Sequence, residues 1–172
     1  MSVLPALKYP HQILRAKSMS VSEINEEIRQ IIRDMTETMY ASPGCVGIAA
    51  PQVGFRLRIF VMDVSRKVGS RKNHGLVTLI NPEIIYREGE KITREGCLSI
   101  PGFLGNVKRA RRVIVKGLNP DGKEVEILSR DLEAIAVQHE VDHLDGMLFI
   151  HRVSSLTTDL IRRKTTPRDP DS

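Results

Sequence analysis

The stretch Gln138-His139-Glu140-Val141-Asp142-His143 decides how this chain is to be read. Leu132, Ile135, Ala136, His139 and His143 recur at spacings of three and four, so on an α-helix they share one stripe. Helical residues four apart lie one turn from each other on the same face. His139 and His143 can therefore aim their imidazoles at one point, where a divalent metal would sit. Glu140, beside the first imidazole, can reach a water held there and take its proton. Because the histidines continue an apolar stripe, the helix is expected to be central, with the metal on its inner face. A metal-binding imidazole needs its other nitrogen hydrogen-bonded, and Asp142 is a candidate partner. The alternative is a pair of core histidines bonded to carbonyls, with Glu140 and Asp142 solvated.

Outward from this helix, Ser129 stands where an N-cap belongs, with Asp131 and Glu133 in the first turn. Upstream, Val113–Leu118 and Glu124–Leu128 flank Asn119-Pro120-Asp121-Gly122, the turn signal of a hairpin. Arg58–Asp63 and Val77–Ile80 read as strands, the second ending at Asn81-Pro82, with Ser70–His74 a polar loop between them. An N-terminal helix capped by Ser22 or Asn25 carries Ile24, Ile28, Ile31, Ile32, Met35 and Met39 on one stripe and stops at Pro43-Gly44. Ser154–Lys164 reads as a last helix with Leu156, Leu160 and Ile161 inward and basic residues at its end. The expected fold is α+β: mixed or antiparallel sheets packed around a central metal-binding helix, with an N-terminal covering helix and a C-terminal helix. No repeat or linker divides the chain. Residues 1–164 are expected as one catalytic domain, and 165–172, which lack apolar residues, as a disordered tail.

The histidine pair needs further ligands. In Glu95-Gly96-Cys97-Leu98-Ser99 a thiolate beside a dication would have a lowered pKa and bind as the anion. A His2Cys set with an open fourth position is the arrangement of a catalytic site. Cys97 could equally be a small buried hydrophobe, and Cys45 competes for the role. The run Gly44–Gly54 is small and glycine-rich, unlike an ordinary helix or strand, and lets backbone approach a ligand closely. Its one polar side chain, Gln52, could donate a hydrogen bond to a developing oxyanion.

Three stretches in order, Cys45–Gln52, Glu95–Ser99 and Gln138–His143, together with Lys8-Tyr9-Pro10 and Leu14-Arg15, resemble the signatures of the peptide deformylases. These are metallohydrolases that remove the formyl group from the N-terminal methionine of new bacterial-type proteins. The resemblance implies that Cys97, His139 and His143 hold the metal, which excludes Cys45. It implies Glu140 as general base and acid, with the Gln52 amide and the Leu98 backbone N–H stabilising the oxyanion. Val46, Gly47, Glu95 and Gly96 would receive the substrate, and Val46, Leu132, Ile135 and Ala136 would surround its methionine side chain. The metal implied is Fe2+ in the cell, replaceable by Zn2+, Ni2+ or Co2+, although His2Cys also suits zinc on softness. One departure is Cys45, which stands where the family has a glycine; if that position needs a positive φ, cysteine would be strained there.

Composition narrows the remaining classes. No apolar run approaches a membrane span, and the first residues lack a signal-peptide pattern, so a cytoplasmic enzyme is expected. The net charge of +5 comes from 26 basic and 21 acidic residues mixed along the chain, giving only mild attraction to anionic surfaces. The run Lys108–Arg112 reads as a solvated charged segment. Expected partners are N-formylmethionyl nascent peptides and, through the basic C-terminal helix, the ribosome; neither a membrane nor sequence-specific nucleic acid is expected. A zincin-type protease and a non-catalytic metal protein are the competing classes.

Overall fold

Asn25 starts the first long helix: its side-chain oxygen accepts a hydrogen bond from the Ile28 amide at 3.0 Å, filling one of the positions a helix N-terminus leaves open. Helix α1 (Glu26–Ala41) buries Ile28, Ile31, Ile32, Met35 and Met39 along one side. In this computed structural model, residues 2–69 and 71–164 are described. Strands β1 (Gly47–Ala49) and β2 (Ile59–Met62) follow, then a one-turn helix α2 (Ser65–Val68) and strand β3 (Val77–Glu88). Next come β4 (Lys91–Cys97), β5 (Ile100–Arg109), β6 (Arg112–Leu118) and β7 (Glu124–Arg130). Helix α3 (Asp131–Leu144) carries the histidine motif, and β8 (Leu160–Arg162) is the last element described.

The strands form two sheets, β1-β2-β3-β6-β7 and β4-β5-β8, with antiparallel pairing between neighbours. Strand β2 shows why its sequence is uniformly apolar. Alternate residues of a strand face opposite sides, and here both sides are covered. Phe60 and Met62 join Val137, Val141 and Leu144 of α3 in one core cluster, whereas Ile59 and Val61 join the α1 side chains in another. Burying each such side chain is worth about 1.5–3 kcal/mol. A third cluster of Leu14, Ile100, Val107, Leu148 and Phe149 holds the small sheet to the N-terminal segment and the residues after α3. The architecture is thus α+β with antiparallel sheets around a central helix.

Several local expectations fail, each for a physical reason. Strand β3 does not end at Asn81-Pro82. Asn81 adopts φ 52° at a register shift, and its side chain bonds both the amide and carbonyl of Val21, so the ladder is bent rather than broken. The run Gly44–Gly54 does hold regular structure, namely β1 and a 3-10 turn at Ala50–Val53. Ser129 does not cap α3. Strand β7 continues to Arg130, which stands at the N-cap without a side-chain capping bond, and the Ser129 hydroxyl is buried without a partner among the described residues. Residues 154–164 form no helix. Asp159 binds the Ser155 amide and its own carbonyl accepts from Asn106, after which β8 pairs with Phe103–Gly105; Leu156 is exposed rather than inward. Within Lys108–Arg112, Arg109 is buried at 5% exposure instead of solvated. Ser70 of the expected polar loop and the expected tail at 165–172 lie outside the described residues.

Candidate metal centre and active site

Strand β4 ends in a tight turn, Leu98-Ser99, with Cys97 paired to Ile100 across it. This places the Cys97 thiol beside the face of α3 that carries the histidines. One donor atom each from Cys97, His139 and His143 lie within 4.8 Å of one another, and Cys97 Sγ is 3.3 Å from His143 Nε2. His139 Nδ1 is 2.8 Å from Glu95 Oε1. A carboxylate only accepts, so Nδ1 carries hydrogen and Nε2 is left available. Burial works against ionisation of Cys97, but the His143 ring, and after it the His139 ring, hold its thiol well below the usual range. Two imidazoles and a soft anionic sulfur are a donor set suited to a divalent transition metal.

Glu140 lies against this trio. It is 3% exposed, its Oε2 has no partner among the described residues, and burial pushes its carboxyl up to about 7 despite the pull of His139 and His143. A carboxyl tuned to that range can take and return a proton near neutrality. Strand β1 crosses directly over it: a Cβ on Gly47 would stand 2.6 Å from Glu140 Oε1. Gly47 is therefore required by the glutamate. Cys45 carries no positive φ, that conformation falling to Gly44 at 73°, so the substitution at this position costs no backbone strain. Burial and the Glu140 carboxylate push the Cys45 thiol up to about 12, and it donates to the Gly47 carbonyl at 3.0 Å.

Gln52 is fixed from both ends. Its oxygen accepts from the Ala49 amide at 2.9 Å, while Nε2 is 3.3 Å from Cys97 Sγ and 3.3 Å from Ser99 Oγ. Residues 7–9 strap the same region: the Leu7 amide donates to the Gln52 carbonyl, the Tyr9 amide to the Ser99 carbonyl, and Lys8 Nζ to the Leu98 carbonyl at 2.6 Å. A cleft of about 1060 Å³ opens over the centre. Val46, Gly47, Gly96, Leu98, Leu132, Ile135, Ala136 and Glu140 all line it. The motif stripe is thus the cleft side of α3, and the opposite side, Ala134, Val137 and Leu144, is fully buried.

Behind the ligands lies a charge network that the sequence reading did not anticipate. Arg109 grips both oxygens of Glu95 at 2.7 and 2.9 Å and donates to Asp142 at 2.7 Å, and Arg152 holds the other Asp142 oxygen at 2.8 Å. Asp142 therefore serves the arginines rather than an imidazole. Glu95, expected at the substrate, commits its oxygens to Arg109 and His139; burial would raise its carboxyl, yet these hydrogen bonds hold it at about 2. Gln138 bonds both backbone groups of Ala110 at 3.0 Å, locking α3 to the β5–β6 connection. Nothing in the sequence marked Arg109 out from the basic run Lys108–Arg112 around it, and such a run is more often solvated.

Comparisons with known proteins converge on one family. The family model described as polypeptide deformylase matches residues 3–159. The peptide deformylase of Thermodesulfovibrio yellowstonii is 49% identical over 164 residues, covering 95% of this chain and 97% of that protein. That of Syntrophobacter fumaroxidans is 48% identical, covering 95% and 94%. Among solved structures, a peptide deformylase from Legionella pneumophila superposes with a TM-score of 0.81 at 41% identity, covering 90% of this chain and 88% of that one. One from Synechococcus elongatus in complex with actinonin gives 0.80 at 37% identity, covering 88% and 79%.

Proposed function

The chain belongs to the polypeptide deformylase family, hydrolases that remove the N-formyl group from nascent proteins, and we propose that it does so with the residues assembled in this cleft. The observation that carries the reading is the convergence of Cys97, His139 and His143 beside a buried Glu140 oxygen that has no partner among the described residues. A divalent ion held by those three residues would supply Lewis acidity, acidifying a water and polarising the formyl oxygen. Glu140 takes the proton from the attacking water and later delivers it to the departing amine. Negative charge gathers on the formyl oxygen, where Gln52 Nε2 and the Leu98 backbone N–H donate to it; one such preorganised donor is worth roughly 100–1000-fold in rate. Formate and a free amino terminus result. Glu95 acts through His139, fixing its ring and tautomer.

The substrate enters as an extended strand. β1 and β4 are edge strands of their sheets, and both line the cleft, so a peptide can pair with backbone around Val46, Gly47 and Gly96. Its methionine side chain occupies the apolar part formed by Val46, Leu132, Ile135 and Ala136. The ion in the cell is Fe2+, exchangeable for Zn2+, Ni2+ or Co2+; metal analysis of protein purified without oxygen tests this. No helix among the described residues is long and apolar enough to cross a membrane, and the enzyme works in the cytoplasm, where formylated chains are made. Residues 1–164 form the catalytic unit. A ribosome contact through Arg162 and Lys164, both exposed, is tested by co-sedimentation of a charge-reversed R162E/K164E protein; undiminished binding would refute it.

The decisive assay is formate release from a formyl-Met-Ala-Ser peptide by metal-loaded protein, wild type against Glu140→Ala. Loss of a general base predicts a fall of about 100- to 10,000-fold with bound metal retained. No formate from metal-loaded wild type, or cleavage of internal peptide bonds in its place, would refute the proposal.

A further inference from the structure

The charges around the cleft are one-sided. Lys67, Arg71 and Lys72, in and after α2, line it, as do Lys91 and Arg94 of β4 and Arg163 just after β8. All six are exposed. Among the described residues none of them has an ion-pair partner, although Arg33, Arg58, Lys108, Arg112 and Lys116 elsewhere on the molecule each have one. The acidic lining is different in kind. Glu95, Glu133 and Glu140 are buried, the first two already paired, and Asp131 is the exposed carboxylate that remains. An uncompensated cationic rim around a low-dielectric cleft focuses its field on whatever enters.

The geometry of the edge strand says which part of a substrate feels that field. Arg94 stands three residues before Cys97 on β4, about 10 Å along the strand at roughly 3.3 Å per residue. An extended peptide with its formyl group at Cys97 brings its third residue to the same distance. The Arg163 backbone is anchored by a hydrogen bond from its amide to the Gly102 carbonyl at 2.7 Å, and its Nη2 lies 3.9 Å from where a Cβ on Gly96 would be. Its guanidinium therefore overhangs the same edge. Lys91 extends the row by three more residues.

We propose that the cleft selects formylated nascent chains with acidic residues at the positions after methionine, Arg94, Arg163 and Lys91 being the residues that set this preference. The selectivity rests on the reading of the cleft as the deformylation site. RNA is the less favoured occupant, because the cations border a slot that ends at a metal centre and an apolar pocket. Charge complementarity of this kind acts mainly on encounter and on weak rim contacts, so it appears in kcat/KM and fades with salt.

The test compares kcat/KM for formyl-Met-Ala-Asp-Glu-Asp-Glu, formyl-Met-Ala-Ser-Asn-Ser-Asn and formyl-Met-Ala-Lys-Lys-Lys-Lys with metal-loaded wild type and with K91E/R94E. At about 50 mM salt the acidic peptide is expected to exceed the basic one roughly tenfold, shrinking to about twofold near 500 mM. In K91E/R94E the order inverts. Equal kcat/KM for acidic and basic peptides, or a preference that survives the double substitution, overturns the proposal. So does inhibition of the neutral reaction by a short RNA without any order among the peptides. No formate from the neutral peptide would overturn the deformylase reading itself, and this proposal with it.

Discussion

Replacing Gly47 with alanine adds a single methyl group at the point where β1 crosses Glu140. The glycine has no positive φ, so alanine can adopt its backbone without strain. Everything the substitution does must then come through contact. The new Cβ would lie 2.6 Å from Glu140 Oε1, 3.0 Å from Cδ and 3.1 Å from Cγ, whereas ordinary contact begins near 3.4 Å. The carboxylate must retreat by about 0.8 Å, and it has little room because the residue is 3% exposed. Displacing a reacting group by about 1 Å costs on the order of 100-fold, or about 2.7 kcal/mol of barrier. Formate release by Gly47→Ala, followed with a coupled formate dehydrogenase assay, should fall by that factor in kcat. Metal content should remain at the wild-type level, because neither the thiol nor either imidazole is touched. A variant with kcat within about threefold of wild type would refute the argument that Glu140 is positioned by this contact, since a base tolerating that shift needs no such placement.

Arg109→Met removes the shared partner of Glu95 and Asp142 and leaves buried carboxylates short of a counter-charge. Breaking a buried pair in this way costs about 3–5 kcal/mol, to be read as a lower denaturant midpoint; a shift under about 1 kcal/mol would mean that the network is not a stability element. The Glu95 carboxyl is held at about 2 against a usual 4.5. A depressed folded-state pKa gives stability that is fully present above the unfolded value and lost as pH falls through the folded one. Unfolding midpoints should therefore drop between about pH 4.5 and pH 2, and Glu95→Gln should flatten that slope; an unchanged slope would assign the acid lability to other groups. Cys97→Ser should lose bound metal, whereas Cys45→Ser should keep the wild-type content, because the Cys45 thiol stays protonated. Equal metal loss in both would return Cys45 to the ligand set.

How much the sequence discloses depends on the range over which its physics acts. The i, i+4 histidines, the Asn25 cap and the hairpin around Asn119-Pro120-Asp121-Gly122 are local patterns, and β6 and β7 pair across that turn. Position along the chain also allowed either cysteine as a donor, and only the turn after β4 brings Cys97 rather than Cys45 to the histidines. What was hidden depends on distant partners. Arg109 looks solvated until Glu95 and Asp142 close over it, and Asn81 looks like a strand terminator until Val21 binds its side chain. Residues 154–164 carry a helical spacing of apolar residues, but β5 offers an unpaired edge, and the segment pairs there as β8. Tertiary hydrogen bonds outweigh a weak intrinsic helix preference.

The four sheet edges among the described residues bear on self-association. Exposed edges are templates for unwanted pairing between chains, and proteins blunt them with charge, brevity or cover. Here β8 is only three residues long, and β7 carries exposed Glu124, Glu126 and Arg130. The other two edges, β1 and β4, both border the cleft. The pairing capacity that would make a free edge an aggregation hazard is thus turned toward a concave surface rather than a flat one.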